Sequence, residues 1–156
     1  MRNLTVIKTE KNSLLYWHKF RNPLRVMLNF IVIEICKTLP SLSIKRFLLG
    51  LIGVKAGKYV SFGLNAQLDI FFPELIEIGD NSIIGYNTTV LCHEFLVEEF
   101  RKGPVKIGKN VLIGSNTTIL PGVVIGDNSK ISAMSLVNKD VEANSFYGGI
   151  PIRKIA

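Results

Sequence analysis

At 156 residues with 47% apolar side chains, the chain is sized for one domain with a real core. Two cysteines, Cys36 and Cys92, lack CxxC spacing, which argues against a disulfide framework or a cysteine zinc site and fits a reducing compartment. The net charge of +7 is uneven: residues 1–58 carry eleven Lys/Arg against Glu10 and Glu34, and residues 59–156 carry eight against ten Asp/Glu. The basicity belongs to the N-terminal third, and no nucleic-acid motif accompanies it.

The opening MRNLTVIKTEKNSLLYW lacks the charged, apolar, small-residue order of a secretory signal. Residues 1–51 read as a basic, apolar helical segment. Asn22 suits an N-cap and Pro23 a first helical turn, so a helix is expected from Pro23 up to Pro40. Leu24, Met27, Leu28, Ile31, Ile35 and Leu39 share one face at helical spacing, broadened by Val26, Phe30 and Ile33. A shorter helix is expected after Ser43 as N-cap, ending at Gly53. Asn29 and Glu34 interrupt the longer helix, which is too short and too polar for a membrane span. These helices are expected to pack on the main domain or on a neighbouring subunit. Shallow binding to an anionic membrane is the competing expectation.

From residue 78 an aliphatic residue returns every six positions: Ile78, Ile84 and Val90, then Ile107, Ile113, Ile119, Ile125, Ile131 and Val137. A weaker start is visible at Ile52, Lys58 and Leu64. Six is not a helical period, but it suits a short extended segment followed by a tight corner. The corners carry Gly, Asn and Asp, which tolerate positive φ cheaply. Coils of such units stack into a solenoid with a continuous aliphatic column and parallel sheets. The beat fails once, after Val90, at VLCHEFLVEEFRKGPVKIG, where a protruding loop is expected at about 93–105.

The repeats IGDNSI, IGYNTTV, IGKNVL and IGSNTTILPGVVIGDNSKI, with the tail LVNKDVEANSFYGGIPIRKI, closely resemble the hexapeptide-repeat acyltransferases, in the maltose, galactoside and nodulation-type O-acetyltransferase branch. The resemblance covers roughly residues 50–156. It implies a mainly β fold, a left-handed parallel β-helix over 52–156, and a homotrimer. It also implies acyl transfer from acetyl-CoA to a hydroxyl of a sugar or surface polysaccharide; the cysteine usage points to the cytoplasm, and the basic N-terminal segment to the inner face of the membrane as the further expectation.

In such relatives the catalytic histidine stands where the loop begins, which matches His93. An imidazole that is neutral at physiological pH can take the hydroxyl proton as the oxygen attacks. The resemblance places Gly114, Ser115, Ala133 and Ser135 along the cofactor groove, and Lys139 and Arg153 at its phosphates. On the acceptor side it points to Asp69 and Asn87, the latter equally suited to a corner, with Phe71–Pro73 as an apolar wall. Glu94 is a candidate to orient His93, and Glu98, Glu99, Arg101 and Lys102 are expected on an exposed loop surface. Met134 and Leu112 depart from the family's glycine and tryptophan, which bears on the shape of the groove. With His18 outside the repeats, one histidine cannot build the three-histidine zinc site of γ-class carbonic anhydrases, so no metal is expected. Two competing readings remain: an acyltransferase acting on an amino sugar, antibiotic or lipid-linked glycan, and a non-catalytic trimeric scaffold.

Overall fold

A computed structural model describes residues 2–156. After its N-terminal elements the chain winds into a left-handed parallel β-helix, each coil made of three short strands. Lys55–Ala56, Ser61–Phe62 and Gln67–Leu68 form the first coil, and Ile76–Ile78, Ile83–Ile84 and Thr89–Val90 the second. Val105–Ile107, Leu112–Ile113 and Thr118–Ile119 form the third, and Val124–Ile125, Lys130–Ile131 and Leu136–Val137 the fourth. A partial fifth coil bridges Val141 to Ile125 and pairs Phe146–Gly148 with the fourth, before Arg153–Lys154 folds back antiparallel on it.

The six-residue beat sets the register. Ile84, Ile113 and Ile131 are aligned neighbours on one side, Val90, Ile119 and Val137 on the next, and Ile78, Ile107 and Ile125 on the third. All nine are buried, so the interior is three aliphatic columns. The first coil departs from the sequence expectation. Ala56, Phe62 and Leu68 continue the columns, whereas Lys58 and Leu64 are exposed. Ten residues, not six, separate Leu68 from Ile78, and this inserted loop hides the phase from a periodicity count.

Two of the three corners are regular. Asn81, Asn110, Asn128 and Asn144 turn one, and Asn65, Asn87 and Asn116 the other, all with φ of 54–58°. Their amides hydrogen-bond from coil to coil, as in Asn81 to Asn110 at 2.9 Å and Asn87 to Asn116 at 2.7 Å. Asparagine therefore serves twice, tolerating the left-handed backbone and forming a ladder. Met134 takes the next place in the second ladder at φ 57°, exposed and unable to continue it. Met134→Asn should relieve left-handed strain and add an amide partner for Asn116, raising stability by about 1 kcal/mol. A thermal melt should show a rise of about 2–4 °C.

The third corner takes every irregularity: the loop at 69–75, the excursion after Val90, Leu120–Gly122 and Asn138–Asp140. The excursion is a β-hairpin of His93–Phe95 against Glu99–Lys102, to which Thr5–Lys8 adds a third antiparallel strand. The N-terminal segment is therefore not wholly helical. It begins as a strand tied over this corner, with Asn3 N–H donating to Gly122 O at 2.8 Å. Gly122 has φ 78°, and a Cβ there would lie 2.5 Å from Asn3 O, so the crossing requires glycine.

Three helices follow: α1 (Trp17–Phe20), α2 (Pro23–Thr38) and α3 (Leu42–Leu51). Asn22 caps α2, accepting from Leu24 N–H at 2.9 Å. Ser41, not Ser43, caps α3, and Gly53 follows its end at φ 103°. The first coil has no coil before it, so its outer polar groups need partners. The helices supply them. Lys37 O accepts from Asn65 N–H, and Lys45 Nζ donates to Phe62 O at 3.1 Å and Gly63 O at 3.2 Å. Lys45 is almost fully buried, and that burial lowers its pKa.

The packing face of α2 is Val26, Asn29, Ile33 and Cys36, with Asn29 Nδ2 donating to Ile70 O at 2.8 Å. Of the stripe expected to pack on the main domain or on a neighbouring subunit, Val26 and Ile33 face the domain and the rest lies opposite. Leu24, Met27, Leu28, Ile31 and Ile35 face outward on this chain.

Candidate active site

Asp69 and His93 occupy the same irregular corner on successive coils. Each stands just after the inward residue of its strand, Leu68 or Val90, where the beat lapses. The aspartate turns its loop on itself: Oδ1 accepts from Phe71 N–H at 2.8 Å and Phe72 N–H at 2.9 Å. Its Oδ2 accepts from Cys92 N–H at 2.6 Å and lies 2.6 Å from His93 Nδ1. With three backbone donors on it, the carboxylate acts as an acceptor throughout. The imidazole therefore carries its proton on Nδ1, and the Nε2 lone pair is left for chemistry.

This arrangement corrects the expectation that Asp69 binds an acceptor hydroxyl. Its side chain has no solvent exposure and each oxygen already holds two partners, one of them His93 Nδ1, which leaves no lone pair facing a hydroxyl. It also displaces Glu94 from the orienting role, since Glu94 pairs with Arg2 at 2.8 Å.

Aromatic rings enclose the histidine. Phe71 lies 4.5 Å from the imidazole centroid, Phe95 5.0 Å, Phe72 6.1 Å and Phe100 6.3 Å. From α1, Phe20 stacks on Phe100 at 4.1 Å, and Trp17 meets Phe71 edge-on at 6.1 Å. The His93 side chain keeps 14% of its surface exposed, so the imidazole can be approached within a low-dielectric surround. Phe95, Phe100, Trp17 and Phe20 escaped the sequence reading. The clustering of phenylalanines around His93 was the available signal, but the reach of α1 across the hairpin is a tertiary fact.

Neighbouring Cys92 is fully buried. Burial, and then the charge of Asp69, pushes its thiol up, so it keeps its proton and is not a nucleophile. The hairpin is less exposed than its composition suggests. Phe100 is in the core, and Glu99 is largely covered, bonding Lys8 at 2.6 Å and Arg101. Those two cations hold the Glu99 carboxyl below its ordinary range, Lys8 first. Lys102 Nζ lies 5.1 Å from the centre of the Phe72 ring.

The groove residues gather elsewhere. Gly114, Ser115 and Ala133 form the asparagine corner at the far end of the strand that leads to His93's corner. Gly114 is there for contact: a Cβ would lie 2.4 Å from Ala133 N. Ala133 is exposed, and Ser115 O accepts from Met134 N–H at 2.9 Å. Ser135 is buried, its Oγ donating to Ser132 O and accepting from Gly149 N–H, so its hydroxyl supports the corner rather than facing the groove.

Asn87 belongs to this same corner, where both ends of its amide serve the ladder. Six positions, at most roughly 20 Å of chain, separate it from His93. Lys139 lies on His93's corner, two coils or roughly 10 Å along the axis. Its Nζ is 5.9 Å from the Tyr147 ring centre. Arg153 is exposed on the last strand, and its neighbour Lys154 is engaged by Glu142 at 2.6 Å. Among the described residues no group of three His, Cys, Asp or Glu is placed to hold a metal.

Comparison with known proteins bears on the family and the fold. The family model described as bacterial transferase hexapeptide (six repeats) matches residues 104–139. The Bacillus subtilis (strain 168) protein named "Putative acetyltransferase YvoF" is 50% identical over 147 residues, covering 92% of this chain and 84% of that protein. Galactoside O-acetyltransferase of Escherichia coli (strain K12) is 42% identical over 102 residues, covering 61% of this chain and 50% of that protein. A solved galactoside acetyltransferase in complex with coenzyme A shares the fold, with a TM-score of 0.68 at 24% identity, covering 97% of this chain and 86% of the other.

Proposed function

The chain belongs to the hexapeptide-repeat acetyltransferases, and from that premise we propose that it carries an acetyl group from acetyl-CoA to a hydroxyl of a sugar or surface polysaccharide, with His93 as general base. The observation that carries the reading is the His93–Asp69 contact of 2.6 Å, which leaves Nε2 as an acceptor in an aromatic pocket. The name of the Escherichia coli relative supports a sugar hydroxyl as acceptor, and the coenzyme A complex of a protein of the same fold supports the donor.

In the proposed reaction Nε2 takes the hydroxyl proton while the oxygen attacks the thioester carbonyl. The tetrahedral intermediate collapses with cleavage of the C–S bond. The imidazolium then returns its proton to the departing sulfur, releasing the acetyl ester and the free thiol of coenzyme A. Asp69 steadies the imidazolium formed between these steps without taking its proton.

The separation of the two corners favours a site shared between subunits of a homotrimer. The base comes from one chain, and the Gly114–Ser115–Ala133 corner from a neighbour. Lys139 and Arg153 are cations suited to the phosphates of the cofactor.

The test is acetyl-CoA consumption by purified protein across a panel of sugars and surface-glycan oligosaccharides. With an active acceptor found, His93→Ala and Ala133→Trp are made separately, then co-refolded as mixed oligomers. Recovered activity in the mixture of two inactive variants is expected, because some interfaces then pair an intact base with an intact groove. No recovery would place both halves of the site on one chain. Absence of both turnover and acetyl-CoA binding in the wild type would overturn the proposed function.

A further inference from the structure

α2 is inside out for a helix on a water-soluble surface. Its polar Asn29 faces the β-helix, while Leu24, Met27, Leu28, Ile31 and Ile35 recur at i, i+3, i+4, i+7 and i+11 on the opposite side. Leu24 is 81% exposed, and Leu28, Ile31 and Ile35 are each about half exposed. α3 packs beside it and repeats the pattern: Lys45 and Leu49 point inward, and Ile44, Phe47 and Leu51 outward. Two adjacent helices thus show solvent a run of large apolar side chains, which marks a binding surface rather than ordinary exposure.

We propose that the outward faces of α2 and α3 form a docking surface for an anionic lipid bilayer, on which the protein sits peripherally. Charge decides between a bilayer and a second copy of the chain as the occupant. Of the eleven Lys/Arg in residues 1–58, Arg2, Lys8, Arg21 and Lys37 are paired with carboxylates and Lys45 is buried, which leaves, on and just after α3, the partly exposed Arg46 and the exposed Lys55 and Lys58. Two such surfaces face to face would oppose like charges, whereas anionic headgroups would neutralise them. The rim has the composition of an interfacial belt. Arg46 and the exposed Tyr59 line a shallow hollow beside Leu42, and Lys55 and Lys58 follow α3 in exposed positions. α2 has 16 residues, and no helix among the described residues is long and apolar enough to cross a membrane. Helices of this kind lie in the plane of the interface with their apolar side among the acyl chains.

The test is co-sedimentation of the full-length protein with vesicles of phosphatidylglycerol and phosphatidylcholine, beside vesicles of phosphatidylcholine alone. Binding to the anionic vesicles should be at least about tenfold tighter and should weaken with added salt. The triple variant Leu28→Gln/Ile31→Gln/Ile35→Gln should lose at least about hundredfold in vesicle affinity. These side chains already face solvent, so its thermal melt should match that of the wild type. A second variant, Arg46→Glu/Lys55→Glu/Lys58→Glu, should lose the preference for anionic lipid while keeping the fold. Failure of the wild type to bind anionic vesicles would overturn the proposal, as would undiminished binding by the triple variant. A wild type that ignores vesicles, with a triple variant of lower oligomeric mass by light scattering, would assign this face to contacts between copies instead.

Discussion

His93→Ala should lower kcat by about 10²–10⁴-fold, the range that a positioned general base contributes. No other group can replace it: Asp69 is sealed off with its lone pairs occupied, and Cys92 is buried with its thiol pushed up. The affinity for acetyl-CoA, measured by calorimetry, should change little, because the residues assigned to the cofactor lie on another corner or further along the axis. The variant also leaves a gap among Phe71, Phe95 and Phe100. A modest drop in melting temperature should therefore accompany the kinetic loss. Equal kcat in variant and wild type would remove His93 from the reaction.

Asp69→Asn should be nearly as damaging to kcat, by about 10²–10⁴-fold, although Asp69 touches no substrate. Oδ1 accepts from two backbone N–H groups, so the amide oxygen must stay there and the amide nitrogen must take the place of Oδ2. That nitrogen then donates to His93 Nδ1 and moves the ring proton to Nε2, where the base is needed. It also confronts Cys92 N–H, donor against donor, at a cost of about 1–3 kcal/mol. The KM for acetyl-CoA should hold while kcat falls. Nitrogen-15 chemical shifts of the imidazole should report the proton on Nε2 in the variant and on Nδ1 in the wild type. A variant that lost stability but kept both kcat and the Nδ1 tautomer would leave Asp69 a purely structural residue.

Some of this is legible in the residues alone, for particular reasons. His93 stands out in the sequence because a strict period stops there, and a stacked coil opens only where its period stops. The contact of Asp69 with His93 is not legible in the sequence, since the two lie 24 positions apart and only the stacking of coils brings them together. Asn87 shows the converse. Its place in a Gly-Tyr-Asn corner was sequence information enough to explain it, and the ladder confirms that use. Ser135 fits a family pattern in sequence, yet its hydroxyl turns inward to Ser132 O.

The sequence by itself determined the β-helix, its phase from Ile78 onward, the corner chemistry, and the point where the column opens. These are local properties: inward aliphatics six residues apart, and Gly, Asn or Asp where the backbone must turn. The tertiary structure alone decided which partner fixes the tautomer of His93, which aromatic rings dry its surroundings, and which side of α2 faces outward. Each of these depends on contacts between segments far apart in the chain. A helix with apolar residues on most of its circumference does not declare its buried side; here Asn29, by finding Ile70 O, turns the wider apolar stripe toward solvent.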